Sequence, residues 1–180
     1  MRVVCPFTRI HPLTDAALQA HAPHAERIRI PENDLVAYCK LLTERWALVE
    51  DLLVVEQDIE IRAGLIEEAE QCTEGWWCCW PYMGQGWSNP SGDALIYESL
   101  GCTKFSAELM RAEPDLLMVA GSIRHSKDMP PGDWHRLDVS ISPTLKQRGY
   151  TPHRHMPPVI HHHLYAEGCS CGNQDCRVLS

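Results

Sequence analysis

Hydrophobic and polar positions along the chain fall into short blocks that alternate between two periods. Arg2–Pro6 is a compact apolar run of the kind a strand gives, and Pro12 then Thr14 mark the start of a helix running to His21. Arg27–Ile30 predicts a short second strand. Asn33 or Asp34 is placed to cap a stronger helix, in which Leu35, Tyr38, Leu41, Leu42 and Trp46 recur at helical spacing. Asp51–Val55 carries four consecutive aliphatic residues, the pattern of a strand covered on both faces. It stops abruptly at Glu56-Gln57-Asp58-Ile59-Glu60, and a helix is expected from there to about Gln71.

The second half is less regular. Gly75–Asp93 is dense in Trp, Cys, Gly and Pro and predicts a strand over Trp76–Tyr82 followed by a long loop. Ala94–Glu98 is a further strand, and Ser106 caps a helix to Arg111. Asp133 stands in an N-cap position before a helix over Trp134–Arg148, with Pro143 inside it and Gly149 after it. From Thr151 the chain is extended and rich in Pro and His. Strands alternating with helices imply an α/β fold with a mostly parallel sheet flanked by helices. One domain over residues 1–163 and a Cys-rich tail over 164–180 are expected.

Composition narrows the classes. The chain has 180 residues, enough for a sizeable core, and 44% of them are hydrophobic. No apolar run approaches the roughly 20 residues that cross a bilayer, so no membrane association is expected. The short N-terminal apolar run ends at Pro6, unlike a signal peptide, and points to a cytoplasmic protein. Nine cysteines, an odd number with Cys78 and Cys79 adjacent, fit reduced thiols and metal ligands better than a disulfide framework. The net charge of −8 is uneven: residues 32–70 hold eleven acids and three bases, and residues 104–154 hold eight bases and six acids. The acidic half excludes a general nucleic-acid binder. The mildly basic half leaves room for an anionic ligand.

The most informative segment is Leu52-Leu53-Val54-Val55-Glu56-Gln57-Asp58. Ligands of open α/β sheets collect beyond the carboxyl ends of the strands. A buried strand that delivers two carboxylates two residues apart can hold Mg²⁺ or Mn²⁺, cations that take oxygen ligands and share substrate phosphates. A solvated turn capping the next helix would account for Glu56 and Asp58 equally well.

On this segment the chain resembles the GT-A glycosyltransferases, Rossmann-related enzymes with a strand-borne D-x-D motif, which reads E-Q-D here. The resemblance implies a nucleotide-sugar donor, of UDP type, and a sugar transferred to a hydroxyl acceptor. It places the nucleotide on the loop after the first strand, at Pro6, Phe7, Thr8 and Arg9. It also puts the small-residue turn Gly101-Cys102-Thr103-Lys104 beside the donor, with Gly101 and Lys104 as contacts. Asp133 resembles the catalytic base of inverting members, with Asp138 as second choice. The histidine run His161-His162-His163 resembles the C-terminal histidine that completes their metal shell. Alternation puts His161 and His163 on one face. The short chain and mildly basic second half suit an unusual acceptor such as modified phage DNA.

Two features stand beside that resemblance. Trp87, in the Gly84–Pro90 segment, offers a face on which a sugar ring can pack. Cys169, Cys171 and Cys176 form a C-x-C-x4-C knuckle that needs one more ligand for structural Zn²⁺. The competing class is a non-catalytic zinc-binding interaction module built on that tail.

Overall fold

The computed structural model describes residues 1–32, 34, 36–88, 94–97, 100–123 and 134–162. The predicted alternation is present in its first half. Strand β1 (Arg2–Phe7) leads to helix α1 (Pro12–His21), β2 (Glu26–Arg29), α2 (Ala37–Trp46) and β3 (Leu52–Val55). There follow β4 (Ile59–Glu60), α3 (Leu65–Gln71), β5 (Trp77–Cys79), β6 (Tyr82–Ser88), β7 (Ala94–Tyr97) and β8 (Cys102–Phe105). The chain continues through α4 (Ala107–Ala112), α5 (Leu116–Ser122), α6 (Trp134–Gln147), β9 (His153–Arg154) and β10 (Ile160–His161).

The central sheet has six strands in the order β2-β1-β3-β8-β5-β9. Strands β2, β1 and β3 pair in parallel, β5 pairs in parallel with β9, and β8 runs against both of its neighbours. The sheet is therefore mostly parallel and flanked by helices, as the alternation implies.

Burial follows the two-residue period of the strands. Val3, Cys5, Leu53 and Val55 point to one face, where Leu18 of α1 and Leu65, Ile66 and Ala69 of α3 cover them. Val4, Leu52 and Val54 point to the other, under Leu42 and Trp46 of α2, Leu117 of α5 and Leu137, Ile141 and Leu145 of α6. Two-sided cover explains why β3 reads as an unbroken apolar run.

Several local expectations differ. The cap of α1 is the buried His11, whose Nδ1 accepts the Leu13 N–H at 3.2 Å; Thr14 is buried inside the first turn. Helix α3 begins only at Leu65, after Gly64 at φ 81°, because residues 59–60 are drawn into a strand by a distant partner. That partner is β10, which runs antiparallel to β4 and is a hundred residues away in sequence. Strand β8 occupies residues expected as a turn, since Cys102–Phe105 fills the gap between β3 and β5 and is buried throughout. Helix α5 was not legible beforehand: Leu116, Leu117 and Ala120 pack into the core, in a stretch too short to show a period. Ser106 does cap α4, accepting the Leu109 N–H, and Gly149 ends α6 at φ 91°.

Candidate functional site

The carboxyl ends of β1 and β3 lie side by side, and the chain leaving each is tied to the other. Gln57, between the two acids of the E-Q-D segment, provides the tie. Its Oε1 accepts the Thr8 N–H at 2.8 Å, the Thr8 hydroxyl at 3.2 Å and the Arg9 N–H at 3.3 Å. The Gln57 carbonyl also accepts the His11 N–H at 2.8 Å. The loop after β1 is thus held against the acidic turn by one side chain and one peptide group.

Glu56 continues the side-chain alternation of β3 and points toward α2 and α6. Tyr38, buried on α2, donates its hydroxyl to Glu56 Oε1 at 2.9 Å. The Glu56 N–H bonds to the Gly101 carbonyl at 2.8 Å, and the Leu100 N–H bonds to Asp138 Oδ1 at 3.1 Å. Burial, and then the charges of Asp138 and Asp58, hold the Glu56 carboxyl well above the usual carboxylate range, with the Tyr38 hydrogen bond opposing. Burial, and then the Glu56 charge, likewise push the Tyr38 phenol up. Three carboxylates, two from the turn after β3 and one from α6, therefore share one neighbourhood.

Asp58 faces the tail. The pairing of β4 with β10 brings His161 opposite Ile59, and His161 Nε2 lies 3.3 Å from Asp58 Oδ2 with both side chains about 20% exposed. His162 takes the other face. Its N–H bonds to the Asp58 carbonyl at 2.8 Å, its Nε2 lies 2.9 Å from Glu60 Oε2, and its ring stacks on His11 at a centroid distance of 4.2 Å. Burial, and then His162, lower the His11 pKa, which keeps that imidazole a neutral acceptor for the α1 N-terminus.

Beside the site, Thr8, Arg29, Ile30, Pro31 and Glu32 line a cleft of about 340 Å³ at the carboxyl ends of β1 and β2. Phe7, next to Thr8 in sequence, is half-buried, with its carbonyl accepting the Ile30 N–H; Pro6 is buried, and Arg9 is exposed.

Of the residues expected from sequence, the structure gathers Phe7, Thr8, Arg9, Glu56, Asp58, Gly101, Asp138 and His161 around these strand ends. Lys104 is elsewhere. Its ammonium is buried against the Ala69 carbonyl at 2.9 Å, the Cys72 carbonyl at 3.2 Å and Asp51 Oδ2 at 3.2 Å, so it closes the end of α3. Trp87 belongs to β6. Asp133, His163, Cys169, Cys171 and Cys176 lie outside the described residues.

Comparison with known proteins bears on the fold. The chain is similar to the solved structure of A197 from STIV, at 11% identity and a TM-score of 0.50, over 93% of this chain and 87% of that one. That likeness concerns the architecture alone. A glycosyltransferase involved in the glycosylation of the major capsid of PBCV-1 also matches, at 9% identity and a TM-score of 0.43, over 86% of this chain and 81% of that one. No protein-family model matches the chain, and no curated protein matches it.

Sequence reasoning missed Tyr38, Gln57 and His11 as parts of this site. Tyr38 looks like an ordinary core position on a helix. Gln57 gives no chemical signal between two acids, and His11 has none before a proline. No helix among the described residues is long and apolar enough to cross a membrane.

Proposed function

We propose that the chain is a divalent-metal-dependent glycosyltransferase, moving a sugar from a nucleoside diphosphate donor to a hydroxyl acceptor. The observation that carries this reading is the meeting of Asp58 with His161 at the carboxyl end of β3, beside Glu56 and Asp138. An oxygen and an imidazole nitrogen 3.3 Å apart suit Mn²⁺ or Mg²⁺, which bind proteins through few side chains and complete their shell with water and phosphate oxygens. Asp58 and His161 would hold the cation, with the buried Glu56 behind them. When bound, the cation supplies positive charge to the diphosphate as it leaves.

The rest follows from the chain's own residues. The cleft between Thr8 and Glu32 takes the base and ribose of a UDP-type donor, with Phe7 beside the base and the exposed Arg9 toward the phosphates. Gln57 fixes this loop relative to Asp58, so nucleotide and diphosphate are held in one register. Asp138, on α6 near Glu56, is the group that would accept the proton of the attacking hydroxyl. Asp133 is the reserve for that role. The acceptor approaches from the side of the mildly basic second half, and modified DNA is the acceptor class to assay first.

A thermal-shift panel of nucleoside diphosphates and nucleotide-sugars, with and without Mn²⁺, tests the reading. A ligand at 100 times its Kd adds about 2.7 kcal/mol of stability, an easily measured rise in Tm. UDP with Mn²⁺ is expected to raise Tm in the parent chain and to have no effect on Asp58→Asn or His161→Gln, both of which remain folded. A shift that is the same without Mn²⁺, or that survives in Asp58→Asn, removes the metal from the proposal.

A further inference from the structure

A second constellation lies toward the far edge of the sheet, around β5 and β9. Cys72 follows the last turn of α3, Cys78 is buried in β5, and His155 leaves β9. They converge because β5 pairs in parallel with β9, Cys78 opposite His153 and Cys79 opposite Arg154, and because the His155 N–H bonds to the Cys79 carbonyl at 2.9 Å. Lys104 brings in the third member: on β8 it stands opposite Cys78, and its ammonium holds the carbonyls of Ala69 and Cys72. One ligand atom from each of Cys72, Cys78 and His155 lies within 4.8 Å of the others. Tetrahedral zinc, with bonds of about 2.0–2.3 Å, needs its ligand atoms about 3.5–3.8 Å apart, so the set closes when those atoms draw together by about 1 Å.

We propose that Cys72, Cys78 and His155 bind Zn²⁺, clamping the end of α3 to the β5–β9 edge. The state of His155 supports this independently. Among the described residues its Nε2, although buried, has no hydrogen-bond partner, and burial ordinarily requires such a polar atom to be satisfied. Its ring is fixed by stacking on Trp80 at 4.5 Å and by edge contact with His153 at 4.7 Å. Burial, and then His153, hold its pKa down, so the imidazole is neutral, the form that ligates. Burial, and then Cys72, push the Cys78 thiol up. Binding Zn²⁺ releases two thiol protons to solvent and forms two Zn–S bonds and one Zn–N bond, with the fourth position open to water. Two soft thiolates and one imidazole select Zn²⁺ over Mg²⁺ or Mn²⁺, so this centre and the carboxylate site take different ions.

Elemental analysis of the full chain, purified under reducing conditions without added metal, tests the proposal. Four proteins are compared: the parent, Cys72→Ser, His155→Gln, and a variant with Cys169, Cys171 and Cys176 all changed to Ser. The tail variant isolates any zinc held by the C-terminal knuckle. It is expected to keep one equivalent of zinc, and Cys72→Ser and His155→Gln to have one equivalent fewer than the parent. Cys72 and His155 are half-buried, so these changes avoid the core strand position of Cys78. Cobalt loaded into the tail variant should show a thiolate-to-metal charge-transfer band that Cys72→Ser abolishes in that background. Equal zinc in the parent and Cys72→Ser overturns the proposal. So does a folded tail variant that carries no zinc under these reducing conditions.

Discussion

At the residue scale, Glu56 carries the largest electrostatic tension in the site. It is buried beside Asp138 and Asp58, and only the Tyr38 hydroxyl among its described hydrogen-bond partners eases its ionisation. Its folded pKa is raised, so its contribution to stability is fully present below the unfolded carboxyl pKa of about 4.3. Above that the unfolded chain releases its proton first, and stability falls until the folded carboxyl also ionises. Glu56→Gln removes this loss. Metal-free Glu56→Gln is expected to melt above the parent at pH 8, with the difference shrinking toward pH 4, in thermal scans with EDTA. Identical pH dependence in the two proteins would show that Glu56 is not held in its protonated form. Asp58 differs in kind: it faces His161, so its replacement acts on metal-dependent binding.

At the element scale, the loop after β1 has no regular structure of its own and depends on Gln57. Three donors from Thr8 and Arg9 end on one amide oxygen. Gln57→Ala leaves the flanking acids in place and frees the loop. Binding then includes the cost of reordering it, about 0.5–1.5 kcal/mol for each side chain immobilised. A donor KM raised roughly tenfold, with kcat changed less, is the expected result from steady-state kinetics. A fall in kcat alone would place Gln57 in the chemistry instead of the loop. The β4–β10 pair has a similar role: two residues on each side bring His161 to Asp58 and His162 to Glu60.

At the scale of the molecule, Lys104 separates the two readings of its segment. It is 5% exposed, with its ammonium shared among two carbonyls and Asp51. Removing the ammonium leaves the Ala69 and Cys72 carbonyls without this donor, at a cost of about 1–3 kcal/mol for an unsatisfied group, whereas Asp51, 40% exposed, turns to solvent. Lys104→Met should therefore lower Tm substantially while the folded fraction binds nucleotide with unchanged affinity. Weakened nucleotide binding at unchanged stability would return Lys104 to the donor site. Asp51 ties this region to the neighbouring helix as well, accepting the Ala107 N–H at 2.9 Å.

How much was legible divides along the range of the interactions. Strand β3 was readable because burial on both faces leaves an unbroken Leu52–Val55 run, and the acids after it mark where the sheet ends. The parallel unit of β1, β2 and β3 followed from strands and helices alternating, and Ser106 and Gly149 followed from the local chemistry of helix ends. Candidate ligands such as Asp58 and His161 were visible as residue types, because carboxylates and imidazoles carry their chemistry with them. Their meeting was not visible, since it depends on a two-residue pairing across the whole chain. For the same reason β8 looked like a turn, Gln57 like a spacer and Tyr38 like core. Cys72, Cys78 and His155 form a set only after β5 and β9 pair at the sheet edge. Local pattern determined the elements and the chemistry available at their ends; long-range strand pairing decided which ends meet, because a side chain's partner is fixed by register and not by its neighbours in sequence.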